Sequence, residues 1–320
     1  MNKALKIIFA VVVLLAIIAG TSIIIFLSQF SAPQKKASTD RVVVNASTTQ
    51  SQLISKLKDQ GYIKSTWAFK EVLKMKNWNN KIQPGAYEIS KSMTVWKLAE
   101  ELVNNPSEKW IVVPEGLRKE EVAEILQTKL GLSDSVKQEF IDNSQEGYVF
   151  PNTYLINLSF SGRQIAQIMR NQFNEKAADI FKAAVKDNIR NDTLVILASL
   201  IQREAANNEE MPTIAGVIWN RMDKKMPLQI DASVQYALGT KSDWWPKVKP
   251  TDYKIDSPYN TYIVKGKPVA PICNPGLAAL KAVINSKDSD YLYYIHDSKG
   301  QIHLAKTYNE QLANIEKYLK

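Results

Sequence analysis

The longest apolar run in the chain extends from Ile7 to Leu27 and contains 21 residues without a charge. As a helix, this run would be long enough to cross the hydrocarbon core of a bilayer, which is about 30 Å thick. A cleavable signal peptide has a shorter apolar region of about 7–15 residues that ends at a small-x-small site, and no convincing site follows this run. The pattern therefore predicts an uncleaved membrane anchor.

The charged residues on either side of this run bear on its orientation. Lys3 and Lys6 precede it, whereas Lys35 and Lys36 follow it, so the positive-inside signal is modest. Because the N-terminal side is short, we expect it to stay in the cytoplasm. Residues 31–320 are then predicted to lie outside the cytoplasm.

The next part of the chain changes from a polar linker to alternating strand and helix patterns. Residues 31–40 are polar and rich in small side chains, as in a flexible linker. Residues 41–108 show the patterns of a small α+β module. Its predicted elements are the strand Val42–Val44, a helix through Leu53, Ile54 and Leu57, a strand after the turn Pro84–Gly85, and the helix Val95–Leu102.

A similar strand-then-helix pattern recurs 69 residues later in the chain. It indicates a repeated unit, although short apolar patterns also coincide by chance, and both explanations remain open. The matched pairs are Val44 with Val113, Leu53 with Val122, and Leu57 with Leu126.

Glu204 ends a strongly apolar helical pattern that begins at Leu194. At 100° per residue it shares a face with Leu197, Leu200 and Ile201. A carboxyl group among apolar neighbours has its charged form disfavoured, so its pKa rises and it can hold a proton near neutral pH, as a general acid must. The alternative is that Glu204 ends the apolar face at the solvent end of the helix and reaches into water.

Three segments combine aromatic, amide and hydroxyl side chains. Sugars present apolar faces that stack on rings and hydroxyl groups that bind amides, so these segments predict a glycan groove. Each pattern alone is also typical of an ordinary turn or a core aromatic. A helix is predicted among them, with Pro212 in its first turn and Asn220 and Arg221 near its end. The segments are Glu146–Tyr154, Pro227–Tyr236 and Ser257–Tyr262.

The composition is that of a globular protein, with 45% hydrophobic and 23% charged residues. About 290 residues follow the apolar run, which favours two domains over one. The net charge of +9 favours anionic partners, which for an exported chain are lipid headgroups and the cell wall, and no arginine-rich stripe points to nucleic acid. Cys273 is the single cysteine and His296 and His303 are the two histidines, so neither an internal disulfide nor a Cys/His zinc site is predicted.

Eight short motifs stand in order along the chain: Val113–Gly116, Glu146–Tyr154, Ala198–Ala205, Asn220–Arg221, Leu228–Asp231, Ser257–Tyr262, Asn274–Gly276 and Tyr291–Tyr294. In this order they resemble the motifs of the YceG-like endolytic murein transglycosylases, and the resemblance covers almost the whole chain. Many members of that family have Glu where this chain has Gln202. The resemblance therefore matches the catalytic acid to Glu204 and leaves Gln202 out of that role.

The resemblance implies an α+β fold with a single N-terminal transmembrane helix, a small LysM-like α+β module and a mixed α/β catalytic domain whose acid lies on a helix. A LysM-like module is a peptidoglycan-binding type. The implied parts are the N-terminus and anchor at 1–30, the linker at 31–40, the module at 41–108 and the catalytic domain at 109–320. The implied substrate-binding residues are Glu146, Asn152, Asn220, Gln229, Asp231, Tyr259, Asn260 and Tyr262.

The chemistry that the resemblance implies needs one carboxyl group. A lytic transglycosylase cuts the β-1,4 bond between N-acetylmuramic acid (MurNAc) and N-acetylglucosamine (GlcNAc) without water. The acid protonates the leaving oxygen and then acts as a base while the sugar's own 6-hydroxyl closes onto C1, leaving a 1,6-anhydroMurNAc end. Ordinary glycosidases need two carboxyl groups at a defined spacing, so the lack of an obvious second carboxylate is expected.

Two other interpretations remain open. One is a hydrolytic muramidase that uses Glu204 with Asp231, whose products would carry reducing ends. The other is a non-catalytic peptidoglycan-binding scaffold, in which Glu204 is dispensable. The expected partners are nascent glycan strands of peptidoglycan, the cytoplasmic membrane and cell-wall synthesis proteins, with no nucleic acid, metal or other cofactor. The folded part is expected to be extracytoplasmic.

Overall fold

The computed structural model describes residues 3–319, which form two compact units. The first unit is the chain up to Trp110 together with Leu155–Ser159, and the second is Ile111–Tyr154 together with the chain from Phe160 onward. The protein is mixed α+β with an N-terminal apolar helix, which confirms the predicted class at that level. These units are defined only by their compactness, which does not show what either unit binds or catalyses. The predicted domain assignments therefore stay predictions.

The N-terminal helix α1 (Lys3–Ser28) contains the predicted apolar run. At 1.5 Å per residue its 26 residues extend over about 39 Å. The stretch Ala4–Ser28 has a mean hydropathy of 3.0, and the rest of the protein does not bury it. Among residues 3–319 it is the one helix long and apolar enough to cross a membrane, a property that anchors share with signal sequences.

The first unit contains three short helices that each follow a hydroxyl residue. These hydroxyls accept a hydrogen bond from a backbone N–H of the first turn, which satisfies a donor that the helix itself leaves unpaired. The helices and their caps are α2 (Gln50–Asp59) after Thr49, α3 (Thr66–Met75) after Ser65, and α4 (Val95–Asn104) after Thr94.

A sheet supports these helices. Strand β1 (Thr39–Val44) runs antiparallel to β2 (Gly85–Ser90), with Val42 opposite Tyr87. Strands β3 (Glu108–Val112) and β4 (Thr153–Asn157) complete the order β1-β2-β3-β4. The predicted strand at 42–44 and the predicted helices are confirmed, and their apolar residues form the core: Val42, Val44, Leu53, Ile54, Leu57, Tyr87, Leu98 and Leu102 are all buried.

Residues 29–38 lie between α1 and β1, contain most of the predicted linker at 31–40, and make several hydrogen bonds to the rest of the first unit. The last two residues of that predicted linker belong to β1. Short polar segments without such contacts behave as flexible chains, whereas these bonds hold the end of α1 against the unit. The bonds are Val95 N to Phe30 O, Gln34 N to Lys91 O, Ser90 Oγ to Ala37 O, and Lys64 Nζ to Ser31 Oγ.

The second unit is mainly helical. Its helices are α5 (Lys119–Leu130), α6 (Asp134–Asn143), α7 (Gly162–Lys186), α8 (Asn191–Glu204), α9 (Met211–Asp223), α10 (Asp231–Leu238), α11 (Leu277–Ile284) and α12 (Tyr308–Leu319). Its own strands are the antiparallel pair β5 (Tyr293–His296) and β6 (Ile302–Ala305). The region predicted as a mixed α/β domain is therefore mainly helical and contains one β-hairpin.

Helix α8 lies at the centre of this unit. Every side chain from Leu194 to Ile201 is buried, and helices α7, α9, α10 and α11 pack against it. Helix α9 packs against α8, and the predicted place of Pro212 in the first turn of α9 is confirmed. Gly216 of α9 permits a close approach, because a Cβ there would lie 2.3 Å from the carbonyl oxygen of Lys287. This contact fixes the chain that leads into β5.

Candidate active site

Glu204 is the last residue of α8, and its side chain is partly buried. As the sequence predicts, it follows a buried face that includes Leu197, Leu200 and Ile201. Its Oε2 accepts a hydrogen bond of 2.8 Å from the hydroxyl of Tyr294 on β5. The helix ends here because the next residue has extended backbone angles. The carboxyl group is therefore held at a helix end, against a strand that lies 90 residues later.

The surroundings of Glu204 favour its protonated form. Burial raises the pKa of Glu204, and the nearby negative charge of Asp231 raises it further. The hydrogen bonds from Tyr294 and from the backbone N–H of Ala232, together with a positive charge on His296, act in the opposite direction without cancelling the rise. A carboxyl group whose protonated form is favoured in this way is suited to act as a proton donor.

Asp231 is the first residue of α10 and is exposed to solvent. Its Oδ1 accepts a hydrogen bond of 2.5 Å from the hydroxyl of Tyr262, whose ring stacks on that of Tyr253 at 4.2 Å. Burial and the bond to Asp231 raise the pKa of Tyr262, so its hydroxyl stays protonated and donates. The structure therefore brings the predicted residues Asp231 and Tyr262 together, beside Glu204.

His296 and Glu210 form a second polar pair next to Tyr294. The Nε2 of His296 lies 3.1 Å from Oε1 of Glu210, and that carboxyl group is buried. The same Glu210 oxygen accepts a hydrogen bond from the backbone N–H of Ala206, two residues after Glu204. This pair therefore closes the turn that follows α8 and connects it to the strand that carries Tyr294.

Asn220 and Arg221, at the end of α9, hold the neighbouring chain segments. The side-chain amide of Asn220 donates to the carbonyl oxygens of Ser289 and Tyr291, at 2.7 and 2.9 Å. Arg221 is buried and donates to the carbonyl oxygens of Leu292 at 2.6 Å and Leu228 at 2.7 Å. These contacts position β5 and the segment before α10, which carry Tyr294 and Asp231.

Three other predicted residues also contact the protein itself. Asn260 is fully buried and donates to the carbonyl oxygens of Tyr253 and Ile255. Gln229 has a left-handed backbone with φ of 55°, and its Oε1 accepts a bond from Arg221. The ring of Tyr259 packs on Tyr236 at 4.7 Å. Their contacts organise the chain around Asp231 and Tyr262, and direct substrate contacts for them stay predictions.

Glu146 lies in a different cluster of the second unit. Its carboxyl group accepts hydrogen bonds from Lys119 N at 3.2 Å, Asn274 Nδ2 at 2.9 Å and the Tyr236 hydroxyl at 3.4 Å. Burial, with a contribution from the charge of Glu120, raises the pKa of Glu146 to about 8. This cluster joins the start of α5, the loop before β4 and the Asn274 loop.

The side chains of Gln202 and Asn152 both accept a hydrogen bond from a backbone N–H. Gln202 Oε1 accepts from Gly276 N at 2.9 Å, and Asn152 Oδ1 accepts from Thr153 N at 2.8 Å. A Cβ at Gly276 would collide with the carboxyl group of Glu115, so a larger residue there would require the exposed Glu115 side chain to move. Asn152 is exposed, and its substrate contact stays a prediction.

Aromatic rings and arginines stack close to the end of α8. The guanidinium of Arg203 lies 3.7 Å from the ring of Trp245, and that of Arg118 lies 4.5 Å from the same ring and 4.2 Å from Tyr236. Trp245 is partly exposed, and its ring is bonded through Nε1 to Glu121. These contacts fix the Trp245 ring between α5 and the end of α8, and the sequence patterns did not single it out.

Residues outside the predicted set complete the surroundings of Glu204. Tyr294 belongs to one of the family-like motifs, but the sequence predicts no role for it. The sequence predicts no role for His296 or Glu210 either. Nothing in their local sequence distinguishes them, because the β5 residues lie about 90 residues from Glu204. In the part of the chain that the structure describes, no group of three or more His, Cys, Asp and Glu side chains could hold a metal ion. Cys273 is buried as a free thiol.

Residues 42–317 match the YceG-like family. The endolytic murein transglycosylase of Bacillus subtilis (strain 168) is 31% identical over 319 residues, covering 90% of this chain and 87% of that protein. The endolytic murein transglycosylase of Streptococcus pneumoniae (strain D39) is 26% identical over 305 residues, covering 82% of this chain. The chain spans 55% of that longer relative.

A solved structure also resembles the fold. The 2.6 Å crystal structure of a yceG-like protein from Listeria monocytogenes superimposes with a TM-score of 0.57 and 26% sequence identity. The match covers 87% of this chain and 99% of the Listeria chain. Sequence and fold thus agree on the same set of relatives.

Proposed function

The chain belongs to the YceG-like family, and on that premise we propose that it is a membrane-anchored endolytic lytic transglycosylase of peptidoglycan. It cuts the MurNAc–GlcNAc β-1,4 bond of nascent glycan strands and leaves 1,6-anhydroMurNAc ends, with Glu204 as the single general acid and base. The general activity is that of the relatives named endolytic murein transglycosylases.

The observation that carries the proposed mechanism is the environment of Glu204. Its raised pKa favours the protonated carboxyl group, which can protonate the glycosidic oxygen as the bond from C1 breaks. The resulting carboxylate then accepts the proton of the MurNAc 6-hydroxyl as that oxygen bonds to C1. The two proton transfers balance, and no water is consumed.

Asp231 and Tyr262 support this step in the proposed mechanism. The exposed carboxylate of Asp231, held by the Tyr262 hydroxyl, is available to bind a sugar hydroxyl and to stabilise positive charge that develops at C1. Its charge also keeps the proton on Glu204. Tyr294 orients the Glu204 carboxyl group by donating to one of its oxygens.

We propose that α1 is an uncleaved single-pass anchor and that residues 31–320 are extracytoplasmic. Support comes from the rings of Phe26 and Phe30, which pack against Trp67 of the first unit at 5.4 and 5.9 Å. A cleaved signal peptide would leave the folded unit without these contacts. We also propose that residues 41–108 form a LysM-like module that binds glycan strands and performs no chemistry.

A hydrolytic muramidase is the second candidate, because it would use two carboxyl groups in one site. The negative charge of Asp231 is close enough to Glu204 to raise its pKa. In that mechanism Asp231 would act as the nucleophile or would activate water. The two reactions differ in their products. Hydrolysis leaves a reducing MurNAc end with an oxygen from water, whereas the transglycosylase leaves an anhydro end.

The deciding experiment is digestion of purified peptidoglycan in ¹⁸O-labelled water, followed by mass spectrometry of the fragments. We expect every new end to be 1,6-anhydroMurNAc without ¹⁸O. Reducing ends that carry ¹⁸O would establish hydrolysis. Binding to peptidoglycan without new ends, in a preparation whose fold is verified by circular dichroism, would instead support the scaffold interpretation.

A further inference from the structure

A group of apolar side chains on the first unit is exposed next to the end of α1. We call it the juxtamembrane patch and define it as Phe26, Phe30, Trp67, Met75 and Trp96. Trp67 is 46% exposed, Trp96 37% and Met75 67%. Together with Leu27 and the acidic Glu71, the patch lines an open groove of about 410 Å³ whose walls are mostly apolar side chains. Large apolar side chains gathered on one exposed face usually mark an interaction surface.

The patch is continuous with α1. The ring of Phe26, within the last turns of α1, lies 5.4 Å from that of Trp67 on α3, and the ring of Phe30 stacks on that of Trp96 on α4 at 6.1 Å. These contacts connect the end of the apolar helix to two helices of the folded unit. The hydrogen bond from Val95 N to Phe30 O adds a backbone connection at the same point.

The position of Phe26 defines the depth of the patch. The apolar stretch Ala4–Ser28 is about 37 Å long as a helix, slightly more than a hydrocarbon core of about 30 Å, so its last turn lies at the boundary between lipid tails and headgroups. A side chain that contacts Phe26 lies at nearly the same depth. Tryptophan is enriched at this depth because its ring is apolar and its N–H is polar. Trp67 and Trp96 fit that environment.

The charges beside the patch fit a bilayer surface as well. Helix α3 has a buried face made of Ala68, Phe69, Val72 and Leu73. Its outer side carries the exposed residues Trp67, Lys70, Lys74 and Met75. Apolar side chains next to lysines are typical of helices that rest in a membrane interface, where the lysines meet anionic headgroups.

We propose that the juxtamembrane patch seats the first unit on the outer surface of the membrane that α1 crosses, with phospholipid acyl chains filling the groove and anionic headgroups at Lys70 and Lys74 outside it. The inference rests on the proposed anchoring by α1. It goes further, because an anchored unit joined by a flexible linker would leave the patch in water. In the seated arrangement, α1, α3 and α4 contact the bilayer together and the first unit keeps one orientation.

The test uses full-length protein in vesicles of phosphatidylcholine with about 30% phosphatidylglycerol. Cys273 is replaced by Ala, and an environment-sensitive fluorophore is attached at Met75→Cys. The matched control is Ala46→Cys, an exposed site beyond the end of β1 opposite to the α1 junction. Lipids brominated near the headgroup serve as quenchers.

We expect the fluorophore at position 75 to be about threefold more strongly quenched than the one at position 46. In the Trp67→Ser, Trp96→Ser double variant that difference should disappear while the protein still floats with the vesicles. Persistence of the quenching in nanodiscs that hold one protein each would support lipid as the occupant. Weak quenching at position 75 in vesicles that becomes strong in such nanodiscs would assign the patch to a second copy of the chain and overturn the proposal.

The outcomes also separate this inference from the anchoring on which it rests. Protein that floats with the vesicles but is quenched equally at positions 75 and 46 would overturn the seated arrangement alone. Protein that stays in the aqueous fraction would overturn the anchoring and the seating together.

Discussion

Glu204 and Glu146 are both withdrawn from water and both have a raised pKa, yet their surroundings differ in kind. Glu146 is surrounded by donors of the protein: a backbone N–H, the amide of Asn274 and the hydroxyl of Tyr236. Glu204 keeps a partly open side and lies beside a second, exposed carboxylate, Asp231. A raised pKa alone therefore does not identify an acid that performs chemistry. Access for a substrate and a neighbouring group that acts on the same sugar are also needed.

The strongest test of this comparison removes the proton from Glu204. Glu204→Gln keeps the size of the side chain but cannot deliver a proton, so we expect turnover to fall by at least about 10²-fold. The measurement is the rate of release of anhydro-ended fragments, together with the thermal melting curve. The control is Glu209→Gln, at an exposed position in the turn after α8. Near wild-type turnover with an unchanged melting curve would remove Glu204 from the mechanism.

The second test removes the charge that keeps Glu204 protonated. Asp231→Asn should slow cleavage about tenfold and leave every new end as 1,6-anhydroMurNAc, because Asn still makes hydrogen bonds. Since the negative charge of Asp231 raises the pKa of Glu204, its loss lowers that pKa. The alkaline limb of the pH profile of kcat/KM should therefore move to lower pH.

Asp223→Asn, at the exposed end of α9, is the matched control for the loss of one carboxylate. Its pH profile should superimpose on that of the wild type. An Asp231→Asn profile that stays in place would show that the two carboxyl groups do not interact.

The third test raises the pKa of Glu204, whereas the second lowers it. Tyr294→Phe removes a hydrogen bond that lowers the pKa of Glu204, so the alkaline limb should move to higher pH. One such bond contributes about 1 kcal/mol, so turnover at the optimum should fall about fivefold. Tyr308→Phe, at an exposed position on α12, is the control. A shift of the limb to lower pH would contradict the geometry around Glu204.

The smallest expected effect on turnover concerns Glu146. A carboxyl group whose pKa is higher in the folded protein than in the unfolded chain stabilises the fold at low pH, and this contribution is lost as pH rises through the folded value. For Glu146 the window extends from about 4.5 to about 8. We expect the melting temperature of Glu146→Gln to vary less with pH across this window than that of the wild type. An increased KM with an unchanged pH dependence of melting would instead place Glu146 in the substrate groove.

Much of the fold could be predicted from periodicity. The strand at 42–44, the helix through Leu53 and Leu57 and the helix that begins near Pro212 all appear where the patterns indicate. Such elements are local, because the spacing of apolar residues and the capping side chains act over a few positions. The apolar run at the N-terminus is equally local, and its length alone makes it a candidate membrane helix.

The candidate site could be predicted only in part. The place of Glu204 on the buried face of α8 follows from its spacing to Leu197, Leu200 and Ile201. The sequence could not show that Asn220 and Asn260 donate to backbone carbonyl oxygens. An amide side chain in a polar segment can bind a sugar hydroxyl or a loop carbonyl equally well. The bonding partners decide between the two uses. Those of Asn220 lie 69 and 71 residues later in the chain, whereas those of Asn260 lie 7 and 5 residues earlier, in a loop whose conformation no local pattern gives.

By itself, the sequence determined the apolar N-terminal helix, the α+β class and the placement of an acid at the end of an apolar helix, since each depends on residues within a few turns of one another. Only the tertiary structure decided which groups surround that acid. Tyr294 reaches Glu204 from 90 residues away, and His296 reaches Glu210 in the turn after it, because α9 and its buried Arg221 hold β5 beside the end of α8. It likewise surrounded Glu146 with donors from Lys119, Asn274 and Tyr236. Contacts at such separations depend on how helices pack around a shared core, and no local pattern encodes them.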